Sequence, residues 1–576
     1  MAPRLSPRHE YEPITTTLNR RLHTIVLAAT TLGAAAAFHV PALAQSSDSA
    51  RAARPSRVEI SPFILDSVAI ERAEIYDTSG IFDILNSFHW LTSESVIVDE
   101  IFFAPGDTVT ANDLDELERN LRDLEVFSRI TFEVLPRDGD ASRRVPRATL
   151  RIRTKDSWSL RTGGAFSAAG DDMTLLGMLR EVNLFGLGLQ IGGSLEYSTV
   201  NDRGWRTSAF LYEPNLGGTH INVGVRAATS RVEASGGVHV ERPYYSSRVA
   251  NAWAAGGSHY RGDESFYLRE GERIRRYVSR TSTTDASGWF SIARGARGSL
   301  FHASTSLMVD RTTRDSLLPF APRAFENSVG AFIGIESIKR TYEHVEDADL
   351  SGDRLIPIGG MGSVSIGKIS PHSGGLDNVV YVGGEARNAI ASGPLHASAM
   401  IAAGTGLANK TARYTIQRFN GTAHLKLPVG ALAARVDQST IWNWPRYVAL
   451  ALDNPSGLRG YDLAGLVGDN RLVANFEYRL HPFARIWIFD IGAAAFYDVG
   501  SVWNQGTTIG DARFHSSIGG GIRIGSTLGA FNRGLLRVDV AYNFDERRIS
   551  RLVISSQEAF DAFGTLEYRP PGPYLP

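Results

Sequence analysis

A chain of 576 residues has room for roughly three to five soluble domains of ~100 to 200 residues, or for fewer if one is a large sheet. Its 60 Lys and Arg stand against 61 Asp and Glu, and a net charge of -1 supplies no field to hold a nucleic acid or an anionic surface, which disfavours a nucleic-acid role. A mean hydropathy of -0.12 excludes a bundle of transmembrane helices but not a transmembrane barrel, whose strands alternate and whose inner face is polar. The 57 Gly and the 27 Phe, 19 Tyr and 9 Trp suit a large sheet with tight turns and aromatic girdles. Cysteine is absent, which excludes disulfides, thiol catalysis and Cys-ligated zinc.

Arg20 and Arg21 precede the only long apolar run, 22–44, which closes in Ala42-Leu43-Ala44. Positive flank, apolar centre and small-x-small ending predict a signal peptide over 1–44, cleaved after Ala44. The Ser/Thr and Phe-Leu that accompany a twin-arginine signal are missing around the paired arginines, so ordinary export is expected. Residues 45–66 are rich in Ser, Ala, Arg and Pro and read as a flexible leader.

From 67 to 156 the pattern is that of one compact α/β unit. Val68 and Ile70 alternate in a strand, and an amphipathic stretch follows over 81–103. Thr110 and Asp113 are placed as the N-cap and N3 of a capping box, after which Leu114, Leu117, Leu121 and Leu124 share one helix face, with Phe127 plugging the helix end. Strands at 130–134 and 148–154 complete a β, α, α, β, β order. The string Gly106-Asp107-Thr108-Val109-Thr110, the Leu-spaced helix, Leu124-Glu125-Val126-Phe127-Ser128 and the strand pair resemble a POTRA domain, the periplasmic polypeptide-transport-associated module. That resemblance implies that the strand 148–154, or its neighbour, presents an edge to clients or to a periplasmic partner.

Over 157–560 no helical period recurs. Leu472, Ala474, Phe476, Tyr478 and Leu480 share one face and Arg471, Asn475, Glu477 and Arg479 the other, and Leu536, Val538, Val540 and Tyr542 oppose Arg537, Asp539 and Asn543. Such strands over about 400 residues predict a transmembrane β-barrel, and at ~25 residues per tilted strand and loop it would have about 16 antiparallel strands. A soluble sandwich alternates too, but the length exceeds a usual sandwich.

Strings along this region resemble one superfamily. Glu181-Val182-Asn183-Leu184-Phe185-Gly186-Leu187-Gly188, Tyr212-Glu213-Pro214-Asn215-Leu216-Gly217-Gly218-Thr219 and Glu241-Arg242-Pro243-Tyr244-Tyr245 come first. Gly457-Leu458-Arg459-Gly460-Tyr461-Asp462, Asn475-Phe476-Glu477-Tyr478-Arg479 and Phe496-Tyr497-Asp498-Val499-Gly500 follow. The order resembles that of the bacterial surface antigen and BamA/TamA-like outer-membrane assembly and secretion proteins. The resemblance implies that Arg459, Gly460 and Tyr461 are the tip of a long extracellular loop, and that Asp498 and Gly500 belong to the family's Phe-x-Asp-x-Gly strand. A guanidinium folded into the lumen needs a carboxylate fork, and alternation turns Asp498 and Glu477 inward, so we expect Arg459 to pair with Asp498, with Glu477 as neighbour or alternate. The bland alternative is a solvated loop arginine above two ordinary lumen acids.

Leu552, Ile554 and Phe560 share one face of a segment resembling the closing strand with its terminal aromatic, yet residues 561–576 follow as a tail. Arg569-Pro570-Pro571-Gly572-Pro573 cannot continue a ladder, because Pro has no donor. No His-Glu-x-x-His, Gly-x-Ser-x-Gly or Walker loop is present, and the scattered His suggest no metal site, so no catalytic role and no cofactor are expected. The expectation is an outer-membrane barrel with its α/β module in the periplasm, in contact with outer-membrane lipids. It would act in insertion, assembly or translocation of unfolded outer-membrane or secreted polypeptide clients. The alternatives are a two-partner secretion pore for a dedicated client and a porin- or adhesin-like surface antigen.

Overall fold

The computed structural model describes residues 61–576 apart from internal stretches, of which 76–88, 316–324 and 527–534 are the longest. The signal-peptide reading and the leader up to residue 60 lie outside the described residues, as does the front of the amphipathic stretch 81–103.

The first unit is a four-stranded sheet under two helices. Its elements are β1 (Phe63–Ala73), α1 (Glu94–Asp99), β2 (Thr108–Val109), α2 (Ala111–Asp123), β3 (Phe127–Pro136) and β4 (Arg147–Asp156), with sheet order β2-β1-β4-β3. The capping box forms: Thr110 Oγ1 accepts from the Asp113 N–H, and Asp113 Oδ2 accepts from the Thr110 N–H at 2.8 Å. Leu114, Leu117, Leu121 and Leu124 then bury against Phe63, Leu65, Leu150 and Ile152 of the sheet, and Phe127 joins them. Two expectations are corrected. Residues 63–66 are not leader: Phe63 and Leu65 are fully buried and open β1, because a strand parallel to β4 completes the core that the helices cover. The strand 148–154 is not an edge, since β4 lies between β1 and β3, and its neighbour β3 holds the outer position.

From Leu160 onward the chain is an antiparallel sheet closed on itself. Among the described residues the segment Ala484–Ile486 pairs with Phe489–Trp503 alone and continues the strand Asn470–Arg479 past a break, so the described barrel has twenty strands rather than about 16. The ~25-residue estimate allowed a loop at each strand end, whereas several strands turn in two residues. Leu395–Ala408 and Thr411–Leu427 are joined by Asn409 and Lys410, both left-handed (φ 50° and 64°), the geometry of a type I′ hairpin. Gly393-Pro394 and Pro428-Val429 close the hairpins on either side.

Alternation sorts the walls as expected of a lipid-facing barrel. Phe476, Tyr497, Leu536 and Val540 are exposed on the outside, while Asn475, Glu477, Asp498 and Asp539 are buried inside. The barrel strands end at Ser555, five residues short of the expected boundary at 560.

Candidate functional site

The long connection between Gly430–Trp442 and Asn470–Arg479 carries a small hairpin, Leu450–Leu452 against Leu466–Gly468, and between those two short strands the chain dips into the lumen. Leu452, Leu458 and Tyr461 bury against Val473 of the wall, an apolar seat that fixes the height of the tip. Arg459 is then 4 % exposed. Its Nε lies 2.6 Å from Asp498 Oδ2 and its Nη2 2.7 Å from Asp498 Oδ1, the bidentate fork, while Nη1 donates to Glu477 Oε1 at 2.6 Å. Glu477 is thus a simultaneous second partner rather than an alternate. The guanidinium carbon also sits 3.5 Å from the centroid of the Phe496 ring.

Neighbouring backbone explains the glycines. Gly460 has φ 89°, and a Cβ there would lie 2.9 Å from Ser550 Oγ; its carbonyl accepts from Ser550 Oγ at 2.7 Å and Asn543 Nδ2 at 3.1 Å. A Cβ on Gly500 would lie 2.8 Å from Leu452 Cδ1 and 2.9 Å from the Leu472 carbonyl, so a bare backbone there lets the loop hairpin settle on the wall. Tyr461 donates from its hydroxyl to the Ser516 carbonyl at 3.1 Å and Asp545 Oδ2 at 3.0 Å.

The charged cluster is larger than the sequence reading had it. Asp539 Oδ2 lies 3.4 Å from Arg459 Nη1 while Asp539 Oδ1 accepts from Arg523 at 2.5 Å, and Glu477 Oε2 accepts from Arg479 at 2.9 Å. Asn475 Nδ2 bridges the Gly457 carbonyl at 2.6 Å and Asp498 Oδ1 at 2.8 Å. Inward alternation marks Asp539, Arg479 and Asn475 as lumen residues, but the convergence on Arg459 of partners 18, 39 and 80 residues away is set by the order of the strands in the sheet. Among the described residues no group of three or more His, Asp or Glu is placed to hold a metal ion.

Among the described residues the closing strand, Arg548–Ser555, meets the first strand, Leu160–Ala169, from Leu552 opposite Ala168 to Ser555 opposite Ala165. Elsewhere pairing is far longer: Asn251–Glu270 pairs along its whole length with Arg273–Ala296. Residues 160–164 continue the first strand past that ladder and pair with 177–181 of the second strand. Leu552 and Ile554 lie in the closing strand. Phe560 does not: it is a lumen residue packed on Ala433, with its carbonyl 3.2 Å from Arg479 Nη2. Its reading as the strand's terminal aromatic is therefore corrected, because the described strand ends at Ser555 and Phe560 packs in the lumen instead.

The three early strings turn out to share one place. They form successive turns at the end of the barrel nearest the α/β module, and each docks on it. Asn183 Nδ2 donates to the Trp90 carbonyl at 3.1 Å and Thr92 Oγ1 at 3.0 Å. Asn215 Nδ2 donates to the Asp99 carbonyl and Glu100 Oε1, both at 3.0 Å. In the third turn and just after it, Arg119 Nη2 donates to the Tyr245 carbonyl at 2.7 Å, and Arg248 reaches Asp113 Oδ1 at 2.8 Å and Asp107 Oδ2 at 3.0 Å. Burial pushes the Glu100 carboxyl up to about 7, against the Asn215 bond that favours its charged form. Burial likewise pushes the His220 imidazole, stacked on Tyr245 at 3.7 Å, down to about 4.

Residues 439–551, which hold the loop tip and its partners, match the Omp85 superfamily domain. No curated protein matches the chain. Among solved structures the chain is similar to CdiB from Escherichia coli, at 10% identity over 95% of this chain and 100% of that one, with a TM-score of 0.42. It is also similar to CdiB from Acinetobacter baumannii, at 12% identity over 86% and 74% of the two chains with a TM-score of 0.42. A third is BamA from Haemophilus ducreyi lacking POTRA domains 1-3, at 11% over 86% and 84% with a TM-score of 0.39.

Proposed function

We propose that this chain, an outer-membrane β-barrel with an Omp85 superfamily domain, assists the assembly or secretion of polypeptides, and that it does so by opening the seam between its last and first strands and lending the first strand's edge to an extended client segment. The observation that carries this reading is the seam. The described ladder, four register pairs, holds roughly four hydrogen bonds, each worth about 1 kcal/mol net, which makes it the place in this account where the barrel opens. Past the rung of Ser555 with Ala165 the first strand continues through residues 160–164, and this is the stretch to which an extended client would add by β-augmentation once the seam opens. The α/β module, read as a single POTRA domain facing the periplasm, holds β3 as a second outer edge where a client or periplasmic partner would add. Its docking on three barrel turns keeps that edge in a fixed relation to the seam. In this account Arg459 locks the loop against Asp498 and Glu477, Tyr461 against Ser516 and Asp545, and the Gly460 carbonyl against Asn543 and Ser550 of the last two strands, holding those strands while the seam itself stays weak.

The test uses the absence of native cysteine. Ser167→Cys with Val553→Cys places two thiols on register partners across the seam, where facing residues are close enough for a disulfide. In proteoliposomes, the oxidised double variant should insert a urea-unfolded outer-membrane barrel at least tenfold more slowly than the same protein after dithiothreitol. Equal rates would end the seam reading.

A further inference from the structure

The last residues of the chain do not leave the barrel: they climb its lumen. Phe563 packs at the level of His396 and His424, Leu566 against Ile338 and Met361, and Tyr574 against Tyr381. His396 opens the strand Leu395–Ala408, and Gly404, near its far end, faces the same Tyr381 ring. The segment therefore rises about eight residue positions of wall, on the order of 25 Å of strand at ~3.3 Å per residue. Phe563, Leu566 and Tyr574 are each less than 5 % exposed.

The segment is held as a peptide ligand is held. Its carbonyls at Phe560, Leu566, Pro571 and Leu575 accept from side chains of the wall: Arg479, Arg340, Ser306 and Arg418. Tyr568 donates to Ser304 Oγ at 2.7 Å and packs edge-on against Tyr244, and the Tyr574 N–H donates to Tyr381 Oη at 3.0 Å. Arg569 lies over the Tyr574 ring at 4.2 Å and reaches Glu385 at 3.4 Å. The prolines at 570, 571 and 573 have no N–H, so the segment lines the wall without joining a ladder. The wall is relieved where it passes: a Cβ on Gly334 would lie 3.0 Å from the Pro571 Cβ, and one on Gly383 2.9 Å from the Tyr574 ring.

We propose that the inner wall is a binding groove for an extended peptide bearing spaced aromatic residues and proline, and that the chain's own residues 562–576 fill it as a tethered plug. The plug is continuous with the closing strand, so its base moves with the seam. That base is also tied to the loop tip. Glu558 accepts from Arg523 at 3.1 Å and Phe560 from Arg479, and these two arginines hold Asp539 and Glu477, the carboxylates that Arg459 shares. The loop entering from one end and the tail entering from the other thus meet in one ionic cluster.

A chain ending at Asp561, reconstituted in planar bilayers in KCl, should conduct severalfold more than the full chain. A synthetic peptide of residues 562–576 should return it to the full-chain level, and a scrambled peptide of the same composition should not. In the full-length chain, Gly334→Leu and Gly383→Leu should each raise the conductance by displacing the tail while the barrel remains heat-modifiable. Full-chain conductance in the shortened protein and in both glycine variants would overturn the plug, and equal effects of the true and scrambled peptides would overturn the groove.

Discussion

The guanidinium of Arg459 forks onto the carboxylate of Asp498, Nε 2.6 Å from Oδ2 and Nη2 2.7 Å from Oδ1, across 39 residues of sequence. Asp498 is fully buried and Glu477 1 % exposed, so removing the cation leaves carboxylates in a setting that cannot solvate them. Arg459→Ala should destabilise the barrel by ~3 to 5 kcal/mol, and Arg459→Lys should recover only part, because an ammonium cannot make the fork. A double-mutant cycle with Asp498→Ala, read as urea midpoints in detergent, should show coupling above ~1 kcal/mol. Additive effects would mean that the two are not partners.

Gly460→Ala tests the same tip through backbone rather than charge. The left-handed φ and the 2.9 Å approach of Ser550 Oγ leave no room for a Cβ, so strain of about 1 to 3 kcal/mol should loosen the loop. Trypsin cleavage after Arg459 in intact outer membranes should rise in the variant and be negligible in the parent.

Arg248 ties the barrel to the module through Asp113, Asp107 and the Thr108 carbonyl at 2.8 to 3.0 Å. Asp113 also closes the capping box of α2 and is fully buried. Arg248→Ala should cost about 1.5 to 3 kcal/mol of docking and speed hydrogen exchange at the start of α2 while the barrel amides are unaffected. Unchanged exchange in α2 would show that the contact does not hold the module.

Glu100 gives the docking a pH dependence. Its carboxyl titrates at about 7 in the folded chain against 4.5 for the ordinary group, so the folded state binds the extra proton between those values. Its contribution to stability is full below pH 4.5, is lost as pH rises to about 7 and is constant above. Glu100→Gln, which cannot ionise, should therefore melt higher than the parent above pH 7, by an amount on the order of 2 to 3 kcal/mol, with the difference vanishing below pH 4.5. A difference of constant size across that range would exclude titration of Glu100 as the cause.

Much of this architecture was legible in the sequence because its signals are local. The capping box of Thr110 and Asp113, the Leu stripe of α2 and the inward turn of Glu477 and Asp498 all follow from periods of 3.6 and 2. The strand count was missed because hairpins such as Asn409-Lys410 use two residues where a longer loop had been allowed. Asp539, and Arg523 behind it, were missed at the loop tip because their place beside it depends on where the loop enters the lumen, which no local period encodes. Phe560 was misplaced for a related reason. Its spacing from Leu552 and Ile554 fits a strand, but the chain turns into the lumen after Ser555, where Ala433 and Arg479 provide an apolar and cationic seat. Asp462, within the loop motif, lies outside the described residues.

The central claim is that the first strand's edge at the seam receives client chain, and a photocrosslinker tests it in living cells. Thr162 lies on that edge and is exposed, while Thr207 is exposed on a strand paired along both sides. A benzophenone side chain at Thr162 should give adducts with other outer-membrane polypeptides on irradiation, and the same group at Thr207 should not. Equal or absent adducts at both positions would contradict the account.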